Sequence, residues 1–234
     1  MTPRVMVMIP TFNERGNVAA LVEEISGLGI PGLEILIVDD ESPDGTADFV
    51  AELARTRPAL SLLRRPPPAG RGLAGRDGYL RALERGATYV IEMDGDLSHS
   101  PRYIPALLDA MSGCDLALGS RLAPGGGDRD RPLYRRLLTV FGNGYARLLL
   151  GLNVADANSG YRCFSRAALE AIEPATLQSP GPAIVHETLY RAARAGLRVR
   201  EVPIEFVDRK TGSSKLGVRL VLAGWLAILK LRLT

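Results

Sequence analysis

Short runs of consecutive apolar residues alternate along the chain with stretches in which apolar residues recur every three or four positions. Val5 to Ile9 opens the series as a strand, followed by a helix carrying Val18, Leu21, Val22 and Ile25. Leu33 to Val38 is a second strand, and Phe49, Val50 and Leu53 mark a second helix. The pattern continues with a strand at Ser61 to Leu63, a helix carrying Tyr79, Leu80 and Leu83, and a strand at Tyr89 to Met93. A helix with Ile104, Leu107, Leu108 and Met111 and a strand at Asp115 to Leu118 complete it. Regular alternation of strand and helix predicts an α/β fold with a mostly parallel central sheet flanked by helices, Rossmann-like in its winding.

Beyond residue 118 the order changes. A Gly/Pro-rich loop at Pro124 to Pro132 precedes a long helical pattern from Leu133 to Leu150, and a strand is expected at Val199 to Phe206. The chain has 234 residues, long for one average domain and short for two, which predicts one domain with a short appendage. We divide it into a nucleotide- and metal-binding half over residues 1–121, an acceptor half over 122–215, and a C-terminal amphipathic segment over 216–234. That last segment is apolar but interrupted by Arg219, Lys230 and Arg232. It is too short and too charged to span a bilayer. Two readings stand for it: a helix at a membrane interface or a helix packed on the core.

Composition narrows the class. Hydrophobic residues are 46% and charged residues 24%, as in folded globular enzymes and unlike disordered or collagen-like chains. Cys114 and Cys163 are too few for a disulfide framework, and with only His99 and His186 they do not suggest structural zinc. A reducing compartment follows. The first residues run too quickly into polar sequence to be a signal peptide and are expected to be the first strand. Net charge is +3, yet residues 121–136 alone hold five arginines against Asp128 and Asp130. That stretch is either a site for an anionic partner or a solvated loop. No nucleic-acid partner is expected.

The densest chemistry lies at strand ends, where open parallel sheets bind ligands. In Glu92-Met93-Asp94-Gly95-Asp96 an apolar strand ends in two carboxylates two positions apart, which extended backbone turns to one side. Two such anions repel unless a cation joins them, and oxygen donors favour Mg²⁺ or Mn²⁺. The alternative is a polar turn capping the next helix from Ser98 or Ser100. Two further strands end in Pro10-Thr11-Phe12-Asn13-Glu14 and Asp39-Asp40-Glu41-Ser42-Pro43-Asp44-Gly45-Thr46. Carboxylates there suit ribose hydroxyls and base N–H groups, although Asp44-Gly45-Thr46 also fits an ordinary helix start. Gly70-Arg71-Gly72-Leu73-Ala74-Gly75 spells a dinucleotide fingerprint, but Pro66, Pro67 and Pro68 stand where its strand should be. We read these glycines as letting backbone approach a nucleotide sugar, with Arg71 or Arg76 near phosphate.

These motifs, with Leu97-Ser98-His99, Gly119-Ser120-Arg121, Asp156 to Arg162, Val202-Pro203-Ile204 and Arg209 to Lys215, resemble the inverting GT-A glycosyltransferases of family 2, and among them the dolichol-phosphate (polyprenol-phosphate) mannose synthases. The resemblance covers nearly the whole chain. It implies a GT-A fold and transfer of mannose from GDP-mannose to a polyprenyl phosphate lipid. Pro10, Thr11, Glu14 and Asp39 would hold the guanosine, with Asn13, Asp40, Ser42, Gly70, Gly72, Ala74 and Asp94 completing the donor site. Asp94, Asp96 and Ser98 would surround a divalent metal, Mg²⁺ or Mn²⁺. Arg121, Arg135, Arg209 and Lys215 would hold the acceptor phosphate, and Asp94, Asp96, Arg121 and Arg209 would carry catalysis. Two departures stand out: Pro68 replaces the usual Lys, and Gly-Arg-Gly replaces Gly-Leu-Gly.

A phosphate acceptor fits a site with no assigned base. Its second pKa is roughly 6, so the nucleophile is already mostly dianionic at neutral pH. His186 and Glu187 are expected to orient groups or to be polar helix positions. Such an enzyme is expected at the cytoplasmic face of a membrane as a peripheral protein, with a separate membrane subunit left open.

Overall fold

The computed structural model describes residues 2–128, 132–207 and 218–233, with only the backbone described over 218–223. Its first half is built of strand–helix units: β1 (Val5–Thr11), α1 (Arg15–Ser26), β2 (Leu33–Asp39), α2 (Thr46–Ala54), β3 (Leu60–Arg64), α3 (Arg71–Glu84) and β4 (Tyr89–Glu92). β1 pairs in parallel with β2 on one side and β4 on the other, so Val5 lies opposite both Leu33 and Tyr89. β3 extends the parallel sheet beyond β2.

A central strand has no solvent face, which explains the unbroken aliphatic run in β1. Met6 and Met8 enter one core layer with Leu36 and Val38; Val5, Val7 and Ile9 enter the other with Ile35 and Ile37. Each such buried side chain contributes roughly 1.5–3 kcal/mol. The first layer also takes Tyr79 of α3, and the second takes Val18, Leu21, Val22 and Ile25 of α1.

The second half comprises α4 (Ile104–Ala110), β5 (Leu116–Ser120), α5 (Leu133–Leu150), β6 (Arg162–Ser165), α6 (Arg166–Ala171), α7 (Ile184–Arg194), β7 (Val199–Pro203) and α8 (Val218–Leu233). The seven-stranded sheet runs β3-β2-β1-β4-β6-β5-β7. β6 is antiparallel to both neighbours. Periodicity does not predict β6: it has four residues and begins with an arginine, yet Arg162 is wholly buried. The strand expected to reach Phe206 ends at Pro203, after which Glu205 makes an isolated bridge to Gly127.

The glycine-rich segment also differs from expectation. Residues from Arg71 onward are the first turns of α3. A Cβ on Gly72 would lie 1.9 Å from the carbonyl oxygen of Ser179, and one on Gly70 would lie 2.4 Å from that of Pro180. The amide of Gly72 donates to Pro180 O at 3.0 Å. Close packing of α3 on residues 179–181 therefore accounts for both glycines, where the sequence suggested room for a ligand. Gly72→Ala is expected to destabilise the fold by about 2 kcal/mol, lowering Tm by roughly 4–8 °C. A thermal melt identical to wild type would contradict this packing.

Candidate active site

Because β1, β2 and β4 run in parallel, their carboxyl ends open on one rim. Asp39, fully buried at the end of β2, organises it. Its carboxylate accepts from Thr11 Oγ1 at 2.8 Å, from Ser42 Oγ at 2.7 Å and from the Ser42 amide at 2.8 Å. Ser42 Oγ in turn accepts from the Asn13 amide at 2.9 Å, and Thr46 Oγ1 accepts from the Glu14 amide at 3.1 Å. Pro10, Thr11, Asn13, Glu14, Asp39 and Ser42 are thus gathered into one structure. Asp40 ties this rim to α3: it pairs with Arg65 and accepts from the Gly70 amide at 2.7 Å. Gly70 stands immediately before α3, and Gly72 and Ala74 follow in its first residues. Non-glycine residues with positive φ mark three rim loops: Asn13, Glu41 and Leu97. Such backbone is held only where its surroundings over-determine it, and it concentrates at functional sites.

The tip of β4 carries the paired aspartates. Asp94 is 37% exposed at its side chain. Its amide donates to His99 Nδ1 at 3.1 Å, which leaves the neutral ring protonated at Nε2. Burial lowers the His99 pKa against the raising effect of Asp94 and Asp96. Its ring stacks on Tyr161, centroids 5.0 Å apart. The Ser98 amide donates to Asp96 Oδ1 at 3.1 Å, a local turn that aims the second carboxylate. Behind them sits Glu92, wholly buried, with Tyr79 Oη donating to it at 2.5 Å and the Arg71 guanidinium ion-paired to it, Nη1 2.7 Å from Oε1. Arg71 thus faces carboxylates, and Arg76 pairs with Asp77 at 3.0 Å.

Arg121 lies at the border of the two halves. Its side chain is only 9% exposed, and Nε and Nη2 each donate to Asp156 at 2.7 Å. Burial would raise the Asp156 pKa, but Arg121 and Asn143 lower it, so this buried pair is fully ionised at neutral pH. The 156–160 loop is anchored by Arg162, which donates to the carbonyls of Ser159 and Val185 at 2.9 and 2.6 Å. Glu187 accepts from the amides of Gln178 and Ser179, fixing the segment under which α3 begins. The sequence marks Arg162 as the end of the Asp156 to Arg162 motif and Glu187 as an orienting or polar helix position, but the backbone groups each one anchors are not legible from it.

Arg121, Arg135, Asn158, residues 178–183 and His186 line a cavity of about 640 Å³ closed on its far side by Trp225, Ile228 and Leu231 of α8. Its walls are mostly apolar. The structure therefore brings Arg121 and Arg135 to one space; Arg209 and Lys215 lie outside the described residues.

For a divalent ion the donor set is suitable in kind and incomplete in number. Asp94 and Asp96 offer hard oxygens on one tip, yet among the described residues no group of three His, Cys, Asp or Glu side chains could hold a metal unaided. An ion bound there needs further oxygens, as a ligand's diphosphate provides.

Residues 6–173 match the family described as Glycosyl transferase family 2. The chain belongs to that family. This glycosyltransferase is 38% identical over 218 residues to the undecaprenyl-phosphate mannosyltransferase of Micrococcus luteus, covering 93% of this chain and 89% of the relative. It is 41% identical over 217 residues to the polyprenol monophosphomannose synthase of Mycolicibacterium smegmatis, covering 92% and 82%. In fold it matches Mycobacterium tuberculosis glucosyl-3-phosphoglycerate synthase in complex with Mn²⁺, UDP-glucose and phosphoglyceric acid. There the TM-score is 0.71 at 19% identity, covering 97% of this chain and 80% of that one. A mannosyltransferase from Pyrobaculum calidifontis in complex with GDP-Man and Mn²⁺ aligns with TM-score 0.61 at 21% identity, covering 97% and 62%. The GT-A expectation for the fold is met.

His186 gives the glycosyltransferase a measurable pH dependence. Nε2 lies 2.9 Å from Asn158 Oδ1, and burial, helped by the Arg162 cation, lowers its pKa from 6.5 to about 4. Below pH 6.5 the unfolded chain takes up a proton that the folded chain refuses until about pH 4. Stability is therefore fully present above pH 6.5 and declines toward pH 4, by roughly 3 kcal/mol from this residue. Urea unfolding at pH 7 and pH 4.5 should show a smaller decline in His186→Gln than in wild type. Equal declines would refute the assignment.

Proposed function

We propose that this glycosyltransferase moves mannose from GDP-mannose to a polyprenyl phosphate, using Mg²⁺ or Mn²⁺ held by Asp94 and Asp96 beside Ser98. One observation carries the acceptor reading: a mostly apolar cavity with Arg121 and Arg135 on its lining, between the donor rim and α8. A lipid phosphate has the matching chemistry, an anion on a hydrocarbon chain. The two mannosyltransferase relatives at about 40% identity support the same donor and acceptor classes.

In this reading Pro10, Thr11, Asn13, Glu14, Asp39 and Ser42 bind the nucleoside, and Asp40 keeps the α3 backbone in place under the donor. The ion, when bound, neutralises charge on the departing diphosphate. Arg121 and Arg135, with Arg209 and Lys215, draw in the acceptor phosphate. Arginine suits the task because its planar fork makes paired, charge-assisted hydrogen bonds. Asp156 takes Nε and Nη2 of Arg121, so Arg121 offers the phosphate its positive charge and its remaining N–H groups. The acceptor is already an anion, so no side chain need remove a proton; neutral His186 is consistent with that.

The outer face of α5 exposes Leu133, Tyr134, Leu137, Phe141 and Leu148, and α8 exposes Leu226, Leu229 and Leu233 beside it. Tyr145 stacks on Trp225, ring centroids 5.4 Å apart, joining the two helices. Among the described residues no helix is long and apolar enough to cross a membrane. The pair suits shallow insertion, apolar side down, at the cytoplasmic face where the nucleotide sugar is supplied. Ile228 of α8 is buried while Leu226 and Leu229 are exposed, so one side of the helix packs on the core and the other is left for the interface.

Incubation with radiolabelled GDP-mannose and polyprenyl phosphate vesicles should give a metal-dependent mannosyl lipid, abolished by chelation. Asp96→Ala is expected to retain its fold and lose at least about 100-fold in rate. Label appearing only in a saccharide or protein, or undiminished lipid product in Asp96→Ala, would overturn the proposal.

A further inference from the structure

Arg71 has surroundings unlike those of a surface or phosphate-facing arginine. Nη1 lies 2.7 Å from Oε1 of the wholly buried Glu92, and Nη2 lies 3.4 Å from Oδ1 of Asp94. The Nη1 to Oε1 contact is close, but neither atom completes an aligned hydrogen bond, so the attraction is mainly charge on charge. Glu92 is itself fixed from the other side by Tyr79 Oη. Two glycines lie against the guanidinium at ordinary contact distance. A Cβ on Gly75 would stand 3.4 Å from Nη1, and a Cβ on Gly160 would stand 3.4 Å from Nη2 and 3.8 Å from Asp94 Oδ1. The guanidinium is therefore enclosed between α3 and the 158–160 loop, with one arm on the floor of the site and the other at the metal-holding carboxylate.

His99 holds the Asp94 backbone instead, its Nδ1 accepting from the Asp94 amide at 3.1 Å. The carboxylate itself is approached by the Arg71 guanidinium. We propose that Arg71 is a positioning residue for the divalent ion: anchored on Glu92, it sets the orientation in which the Asp94 carboxylate ligates. This rests on reading Asp94 and Asp96 as the ion's holders. Ligating carboxylates are commonly held by such outer partners, and losing one weakens metal affinity by about 10–100-fold.

The test is direct Mn²⁺ binding, followed by electron paramagnetic resonance on the full chain with GDP present. Arg71→Leu combined with Glu92→Gln removes one charge of each sign and keeps an acceptor for Tyr79 Oη, so local net charge is unchanged. Its Mn²⁺ affinity is expected to fall about tenfold with circular dichroism unaltered. Arg71→Lys keeps the charge but loses the fork, and is expected to fall about threefold; it decides the matter alone if the double variant does not fold. Affinities within about twofold of wild type, or tighter, overturn the inference. A wild-type Mn²⁺ signal that persists unchanged in Asp96→Ala would instead overturn the metal-site reading, and this inference with it.

Discussion

Charge balance at the carboxyl end of the sheet is the constraint around which this glycosyltransferase is built. Parallel β1, β2 and β4 deliver Asp39, Asp40, Glu92, Asp94 and Asp96 to one rim, and buried anions are tolerated only when paired or hydrogen-bonded. The chain meets this residue by residue. Asp39 is surrounded by hydroxyl and amide donors, Asp40 by Arg65 and the Gly70 amide, and Glu92 by Tyr79 and Arg71. The tip aspartates stand in front of this neutralised floor, where a divalent ion and a diphosphate would balance each other.

The same rule shapes the acceptor half. Asp156 and Arg121 form a buried pair whose loop is held by Arg162 and by Glu201, which accepts from the amides of Ala155 and Asp156 at 2.7 and 3.0 Å. Glu187 fixes the 178–179 backbone, and that segment seats α3 through Gly70 and Gly72. Donor rim, metal tip and cavity are thus joined by polar contacts through β6, α7 and α3. Breaking such a buried pair is costly because it strands the remaining charge. Precision at the site and stability of the fold draw on the same residues.

Much of this is legible in the sequence, and what is not has a physical reason. The runs in β1 and β2 announce themselves because a strand buried on both faces must be aliphatic throughout. The tip motif is legible because two carboxylates after an apolar strand have few structural uses. β6 escapes because its first residue is an arginine whose partners include Val185 and Thr188, more than twenty positions away. Gly72 reads as room for a ligand because the carbonyl that excludes a side chain there belongs to Ser179, over a hundred residues later. Arg121 stands out in the sequence as part of a basic stretch, but the Asp156 carboxylate that fixes it lies 35 positions away and is not legible there. The carboxylate partners of Arg71 and Arg76, Glu92 with Asp94 and Asp77, are likewise set by the fold rather than by the glycine motif.

The central claim is that Asp94 and Asp96 share one divalent ion with the donor's diphosphate. Anomalous diffraction from crystals grown with Mn²⁺ and GDP-mannose tests it most directly. The account predicts a single strong peak at the β4 tip, bridging an Asp oxygen and the diphosphate. A nucleotide bound with its diphosphate away from that tip, or an ion ligated elsewhere, would contradict it.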